Sequence, residues 1–326
     1  FYNPAMALNR TISVLILNYF AEKEKRKFRI ALPLAGSGIR GIRFLLETKA
    51  VKEILFNDIN KIAVKTIKKN ITLNKLPKSK IKIFNQDANL FLLENKGFDY
   101  IDIDPFGSPN PFLDAAIKSL SRNAILAVTA TDTAPLAGTY PKTCLRKYWA
   151  TPSTKHPSAH ELALRILIRK IQLIAAQYEK ALTPIYSYYK QHYYRAFFIC
   201  QKGASRTDKI LANHKTIILL NNQVGPLWTG HLWNNSLAQA LPRMHKATLL
   251  QRIAEECKIS NFPFIHYHAL CKKHSLPIPK IITLINLLKK SGFAATRTHF
   301  DNCGIRTNAD EETIVKILKK HKKLIQ

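Results

Sequence analysis

The chain is short of acid. Its 326 residues include 21 Asp or Glu against 51 Lys or Arg, a formal net charge of +30. A compact chain so charged repels itself, which argues against a protein without a charged partner. The basic residues run along the whole sequence and not in one tail, so they point to a polyanion: nucleic acid first, a membrane surface second. Cysteine is also sparse. The five (Cys144, Cys200, Cys257, Cys271, Cys303) are scattered and odd in number, which excludes a disulfide framework and fits a reducing cytosol. No apolar run reaches the ~18 residues of a membrane-spanning helix, so no membrane association through such a helix is expected. The opening "FYNPAMALNRTISV" has no charged segment ahead of an apolar core, so no signal peptide is expected. It also has no initiator Met, and the natural start is expected upstream of Phe1.

What is present is enough apolar residue, 46%, to bury a real core, and a length that suggests two domains. "KFRIALPLAG", "VKEILFNDI", "KIKIFNQDA", "FDYIDIDPFG" and "NAILAVTATD" read as strands. Helical patterns such as "IRGIRFLLETK", "NKIAVKTIKKNITLNKL" and "FLDAAIKSL" lie between them. This alternation predicts an α/β fold, a doubly wound Rossmann-like parallel sheet with helices on both faces. Ser158 and Glu161 have capping-box spacing and predict the start of a long helix. "TPIYSYYKQHYYRAFFIC" reads as one or two late strands, and residues 202–237 as an irregular connection. The expected division is a sheet domain over 1–235 and a smaller basic α+β domain over 236–326.

In such a sheet ligands bind beyond the carboxyl ends of the strands. Gly36-Ser37-Gly38-Ile39-Arg40-Gly41 is a G-x-G-x-x-G that follows a strand and opens a helix. With Asp58 at the next strand end it fits a nicotinamide dinucleotide or another nucleoside cofactor, the acid accepting from ribose hydroxyls. Asp87 and Ala88 end the third strand, where they can meet an exocyclic amine and a ring nitrogen or simply cap a helix. The fourth strand carries Asp102 and ends in Asp104-Pro105-Phe106-Gly107. An acid there can draw the lone pair of an exocyclic amine out of its ring plane, and an aromatic can stack on an unpaired base. That combination favours methyl transfer over hydride transfer.

With these residues the sequence resembles the tRNA (guanine-N2)-dimethyltransferase family. The stretches that carry the likeness include "FYNPAMALNR", "GIRGIRF", "FNDIN", "DIDPFGSPNPF", "VTATDTAPLAGTYPKTCLRKY", "GPLWTGHLW" and "TRTHFDNCGIRTNA". The resemblance implies S-adenosyl-L-methionine as cofactor and guanine 26 of tRNA as target, in a cytoplasmic enzyme without an obligate protein partner. It implies cofactor contacts at Arg10, Arg40, Asp58, Asp87 and Ala88, beside the glycines Gly36 and Gly38. Asp104, with Pro105 and Phe106, is the implied catalytic end, and Phe1 and Phe106 are the implied faces for the base. Two departures stand out. Leu32 and Pro33 occupy a stretch where the family usually has an acid, and no cysteine pair precedes "GPLW", so no zinc is expected there. The cluster His266, His268, Cys271 and His274 has ligand chemistry but reads as one helix, so no metal is expected there either. Arg297, His299, Arg306, Lys280, Lys289 and Lys290 are the expected tRNA phosphate contacts. The competing functions are an adenine-amine methyltransferase, a dehydrogenase, and a non-catalytic RNA-binding protein.

Overall fold

In this computed structural model, residues 3–154, 156–219 and 222–321 are described. The first half alternates as the apolar patterning requires. It runs α1 (Ala7–Glu24), β1 (Phe28–Leu32), α2 (Ile39–Glu47), β2 (Val51–Asn57), α3 (Lys61–Leu73), β3 (Ile81–Phe84), α4 (Ala88–Glu94), β4 (Phe98–Ile103), α5 (Asn110–Ser119) and β5 (Leu120–Ala130). Two helices, α6 (Thr133–Leu136) and α7 (Pro141–Tyr148), precede the long α8 (Ala159–Ala176). The aromatic-rich segment forms two strands, β6 (Lys180–Lys190) and β7 (Tyr193–Lys202). The seven strands make one sheet in the order β3-β2-β1-β4-β5-β7-β6. β1 to β5 pair in parallel, and β7 is antiparallel to β5. Ile30, Ile54, Ile101 and Val128 are fully buried in these strands, the continuous apolar pattern of a sheet covered on both faces.

The segment expected to be irregular is not. It holds α9 (Ala204–Leu211) and a two-stranded pair, β8 (His214–Leu219) with β9 (Asn222–Trp228). Both strands open on polar runs, His214-Lys215-Thr216 and Asn222-Gln223, and β9 carries Gly225-Pro226, so neither shows the alternation of a strand. There follow α10 (Asn235–Met244), α11 (Thr248–Glu256), β10 (Ile265–His266), α12 (Tyr267–Lys273), α13 (Ile281–Lys290), β11 (Ala295–Arg297), β12 (Gly304–Thr307) and α14 (Glu311–Lys320). A three-stranded sheet, β10-β12-β11, packs with these helices around Leu284, Leu288, Ile305, Ile314 and Leu318.

Two compact units result. One comprises Phe1–Asp132, Ile168–Ser187 and Tyr193–Asn213; the other comprises Thr133–Leu167, Tyr188–His192 and His214–Gln326. The division is interleaved along the chain, and residues 236–326 fall wholly within the second unit. Its cause within the second unit is a buried charge cluster. Arg306 donates to Glu256 (3.0 Å) and to Glu161 (3.0 Å), and Glu161 also accepts from Arg165 and from the Phe264 N–H. Glu161 is therefore no capping-box partner for Ser158; it ties the start of α8 to residues more than a hundred positions later.

Candidate active site

Strand β4 delivers two carboxylates to different fates. Asp102 is buried, and its oxygens accept from both terminal nitrogens of Arg195 (2.9 and 2.6 Å) and from the Tyr100 hydroxyl (2.7 Å). Burial alone would push this carboxyl up, but Arg195 and then Arg40 outweigh it and hold it below the usual range. Arg195 also reaches Thr129 and Ser13 (2.8 and 3.0 Å). Asp104, two residues on, keeps 25% of its side chain exposed and is ion-paired to Arg40. Arg40 spreads the rest of its guanidinium over Asn9 Oδ1 and Ser13 Oγ, both at 2.8 Å. Burial works against its charge, yet Asp102 and Asp104 raise its pKa overall. Arg40 is thus no solvent-facing helix residue; it is the hinge between the buried network and the open carboxylate.

The glycine turn sets α2 in place. Gly36 and Gly38 have φ of +56° and +78°, a left-handed region that disfavours other residues. At Gly41 a side chain would meet Phe56 at 2.4 Å, so this glycine lets α2 lie against the sheet. Asp58 accepts from the Gly36 N–H (2.8 Å) and from the Asn60 N–H (2.9 Å), holding the ends of β1 and β2 together. Asn57, absent from the sequence reading, is fully buried; it donates to Pro33 and Gln86 carbonyls and accepts from the Gln86 N–H. Asp87 caps α4 through the Asn89 and Leu90 N–H groups, and Ala88 is buried behind it. A cavity at these strand ends is lined by Arg10, Leu32, Leu34, Ala35, Ile39, Arg40, Asp102 and Asp104. The structure therefore brings Arg10, Arg40 and Asp104 to one cavity, while Asp58, Asp87, Ala88, Gly36 and Gly38 stand at the neighbouring strand ends.

Beyond Asp104 the turn is pinned. Gly107 donates to Thr131 Oγ1 (2.7 Å) and accepts from the Thr131 N–H (2.9 Å). Pro105 is buried, and Phe106 stands 92% exposed. So exposed a ring at a strand end contributes little to the buried core. Phe1 lies outside the described residues.

The C-terminal candidates divide. Arg297, Lys280, Lys289 and Lys290 are exposed. Arg306 and His299 are corrected: their side chains are 1% exposed and engage Glu161 and Glu256, so neither can meet a phosphate. Sequence could not show this, because the acids lie 145 and 43 residues away. The four residues of "HYHALCKKH" do not converge: Cys271 belongs to the apolar core. Among the described residues, His266, Asp301 and Cys303 do bring ligand atoms within 4.8 Å of one another. However, His266 Nδ1 accepts the Ala269 N–H at 3.1 Å. Its other ring nitrogen, Nε2, lies 3.7 Å from Asp301 Oδ1.

Reasoning from sequence also missed Arg195, Asn9 and Ser13. The signal for Arg195 existed: a lone Arg inside the apolar run "YYRAFFIC" calls for a buried acid, and Asp102 stands between two Ile residues in another strand.

A parallel sheet with acids at its strand ends, a glycine turn and a carboxylate beside a cavity defines a Rossmann-like enzyme that holds a nucleoside cofactor. The chain belongs, more narrowly, to the N2,N2-dimethylguanosine tRNA methyltransferase family, whose model matches residues 1–222 and 216–319. It is 38% identical to the tRNA (guanine(26)-N(2)/guanine(27)-N(2))-dimethyltransferase of Aquifex aeolicus, over 97% of this chain and 88% of that protein. It is 39% identical to the tRNA (guanine(26)-N(2))-dimethyltransferase of Pyrococcus furiosus, over 98% of this chain and 93% of that one. The solved structure of Trm1 from Pyrococcus horikoshii with S-adenosyl-L-methionine superposes with a TM-score of 0.89 at 35% identity, covering 98% of this chain and 94% of that chain.

Proposed function

We infer that this chain is a tRNA methyltransferase that transfers one or two methyl groups from S-adenosylmethionine to the exocyclic N2 amine of guanine 26. The observation that carries the reading is Asp104: ion-paired to Arg40, partly open, on the lining of a strand-end cavity, next but one to an exposed phenyl ring.

The donor set fits the cofactor. Arg10 and Arg40 both line the cavity; Arg10 matches an amino-acid carboxylate, since Arg40 is engaged with Asp104, Asn9 and Ser13. Asp58 matches ribose hydroxyls, and Asp87 and Ala88 match an adenine edge. When bound, S-adenosylmethionine supplies a methyl group on a sulfonium, whose sulfur keeps the electron pair on leaving. Asp104 does the rest by position. Its carboxylate accepts one N–H of the guanine amine and turns the nitrogen lone pair out of the ring plane; as the new N–C bond forms it takes the released proton. The ion pair with Arg40 fixes that carboxylate in direction, so most of the acceleration is orientation. Phe106 stacks on the extruded base. The first unit holds this chemistry and the second holds tRNA, with Arg297 and the exposed lysines of α13 among its phosphate contacts. No helix among the described residues is long and apolar enough to cross a membrane. Five free cysteines favour the cytosol.

The test is nucleoside mass spectrometry on unmodified tRNA incubated with the protein and S-adenosylmethionine. The reading expects N2-methylated guanosine at position 26, lost when that guanine is replaced by adenine. Methylated adenosine, or no methylated nucleoside at all, would remove it.

A further inference from the structure

The stretch "LAGTYPKTCLRKYW", part of the family-like sequence, is unused by the site just described. It forms α7, whose inner face is Cys144 and Tyr148, both fully buried. Its outer face repeats at helical spacing: Lys142, Leu145, Arg146, Trp149. Leu145 is 56% exposed, Trp149 51%, and Tyr140 at the other end 59%. Lys142 and Arg146 are exposed between them.

Two further facts argue that this face is built for a partner. Trp149 ends the helix at φ +56°, the left-handed position where glycine is preferred. A large aromatic there costs backbone strain and apolar exposure, and such costs persist where function requires them. Also, the stretch 133–160 contains no acidic residue. An acid-free, basic face with interleaved aromatics complements phosphate and unpaired bases. It does not suit an apolar protein surface.

We propose that the outer face of α7, with Trp149 and Tyr140 as stacking rings and Lys142 and Arg146 as phosphate contacts, is a tRNA-binding surface separate from the target-base site. The proposal rests on tRNA being the substrate. It concerns binding alone and adds no step to the chemistry.

Trp149→Gly is the decisive variant, because glycine suits the left-handed backbone at this position; the far-ultraviolet circular dichroism spectrum checks that the chain is folded. Filter binding of the full chain to tRNA should show ~10-fold weaker affinity, as expected for one lost base stack. Affinity for S-adenosylmethionine should be unchanged, which separates lost tRNA binding from lost folding. Lys142→Glu with Arg146→Glu should weaken tRNA binding further and lower the salt slope by about 2, one for each lost phosphate contact. If the parent binds tRNA with a steep salt dependence and both variants match it within about twofold, the proposal is overturned. If Trp149→Gly loses binding to anionic phospholipid vesicles and not to tRNA, it is overturned in favour of a membrane surface. A parent that neither binds nor methylates tRNA defeats the substrate reading first, and this proposal with it.

Discussion

Two clusters of carboxylate and guanidinium, one in each unit, use the same chemistry to opposite ends. In the second unit Glu161, Glu256, Arg165 and Arg306 are sealed: the Arg306 and Glu256 side chains are 1% and 0% exposed. In the first unit Asp102 and Arg195 are equally sealed, at 1% and 0%, but the network continues through Arg40 to Asp104, which is 25% exposed. A closed cluster can only hold segments together. An open end gives the same network a charge fixed in direction and available to a ligand. Exposure at one carboxylate, and not the kind of residue, separates the clamp from the site.

The sharpest way to break the comparison is to remove the central cation of the closed cluster. Arg306→Ala leaves Glu161 only Arg165 and Glu256 only His299 as charged partners and removes the cation they share, and denaturant titration should show a loss of about 3–5 kcal/mol. Acid should act on the same cluster. Burial pushes the Glu256 carboxyl up, but His299, Arg306 and Thr298 outweigh it and bring it to about 2. A carboxyl lowered in the folded state from 4.5 stabilises fully above that pH and loses its contribution as pH falls towards about 2. The loss is of order 3 kcal/mol, and stability measured across that window should fall less in Glu256→Gln than in the parent.

The open cluster should fail differently. Asp104→Ala should lower turnover by at least ~100-fold while the melting transition stays near that of the parent, since the side chain is partly solvated and Arg40 retains Asn9, Ser13 and Asp102. A near-normal rate would remove Asp104 from the chemistry. The smallest effect belongs to Phe106→Ala. Its ring is 92% exposed, so stability should not change, and the loss should appear as ~1–3 kcal/mol in capture of the target base, read as a raised KM for tRNA.

The strands of the first unit were legible because a sheet covered on both faces writes apolar runs and the acids at its strand ends interrupt them. Asp58, Asp87 and Asp104 were found for that reason. The second unit was harder to read. The β8–β9 pair reads as an irregular connection because its strands open on polar runs and β9 contains Gly-Pro, and Arg306 and His299 read as surface residues because a basic residue in a basic chain carries no mark of burial. Their partners are set by contacts 43 to 145 residues distant. Asp102 and Asp104 look alike as letters; only the return of β7 beside β5, which puts Arg195 against Asp102, tells them apart.

By itself the sequence determined the alternation of strand and helix, the glycine turn, the acids at the strand ends and an excess of positive charge, because each is a local pattern or a sum over residues. The tertiary structure decided which charges are paired and buried and which face solvent, because that depends on the dielectric and the neighbours that distant segments supply. Asp104 and Arg306 were both singled out from sequence; folding left one open to a cavity and closed the other between two acids.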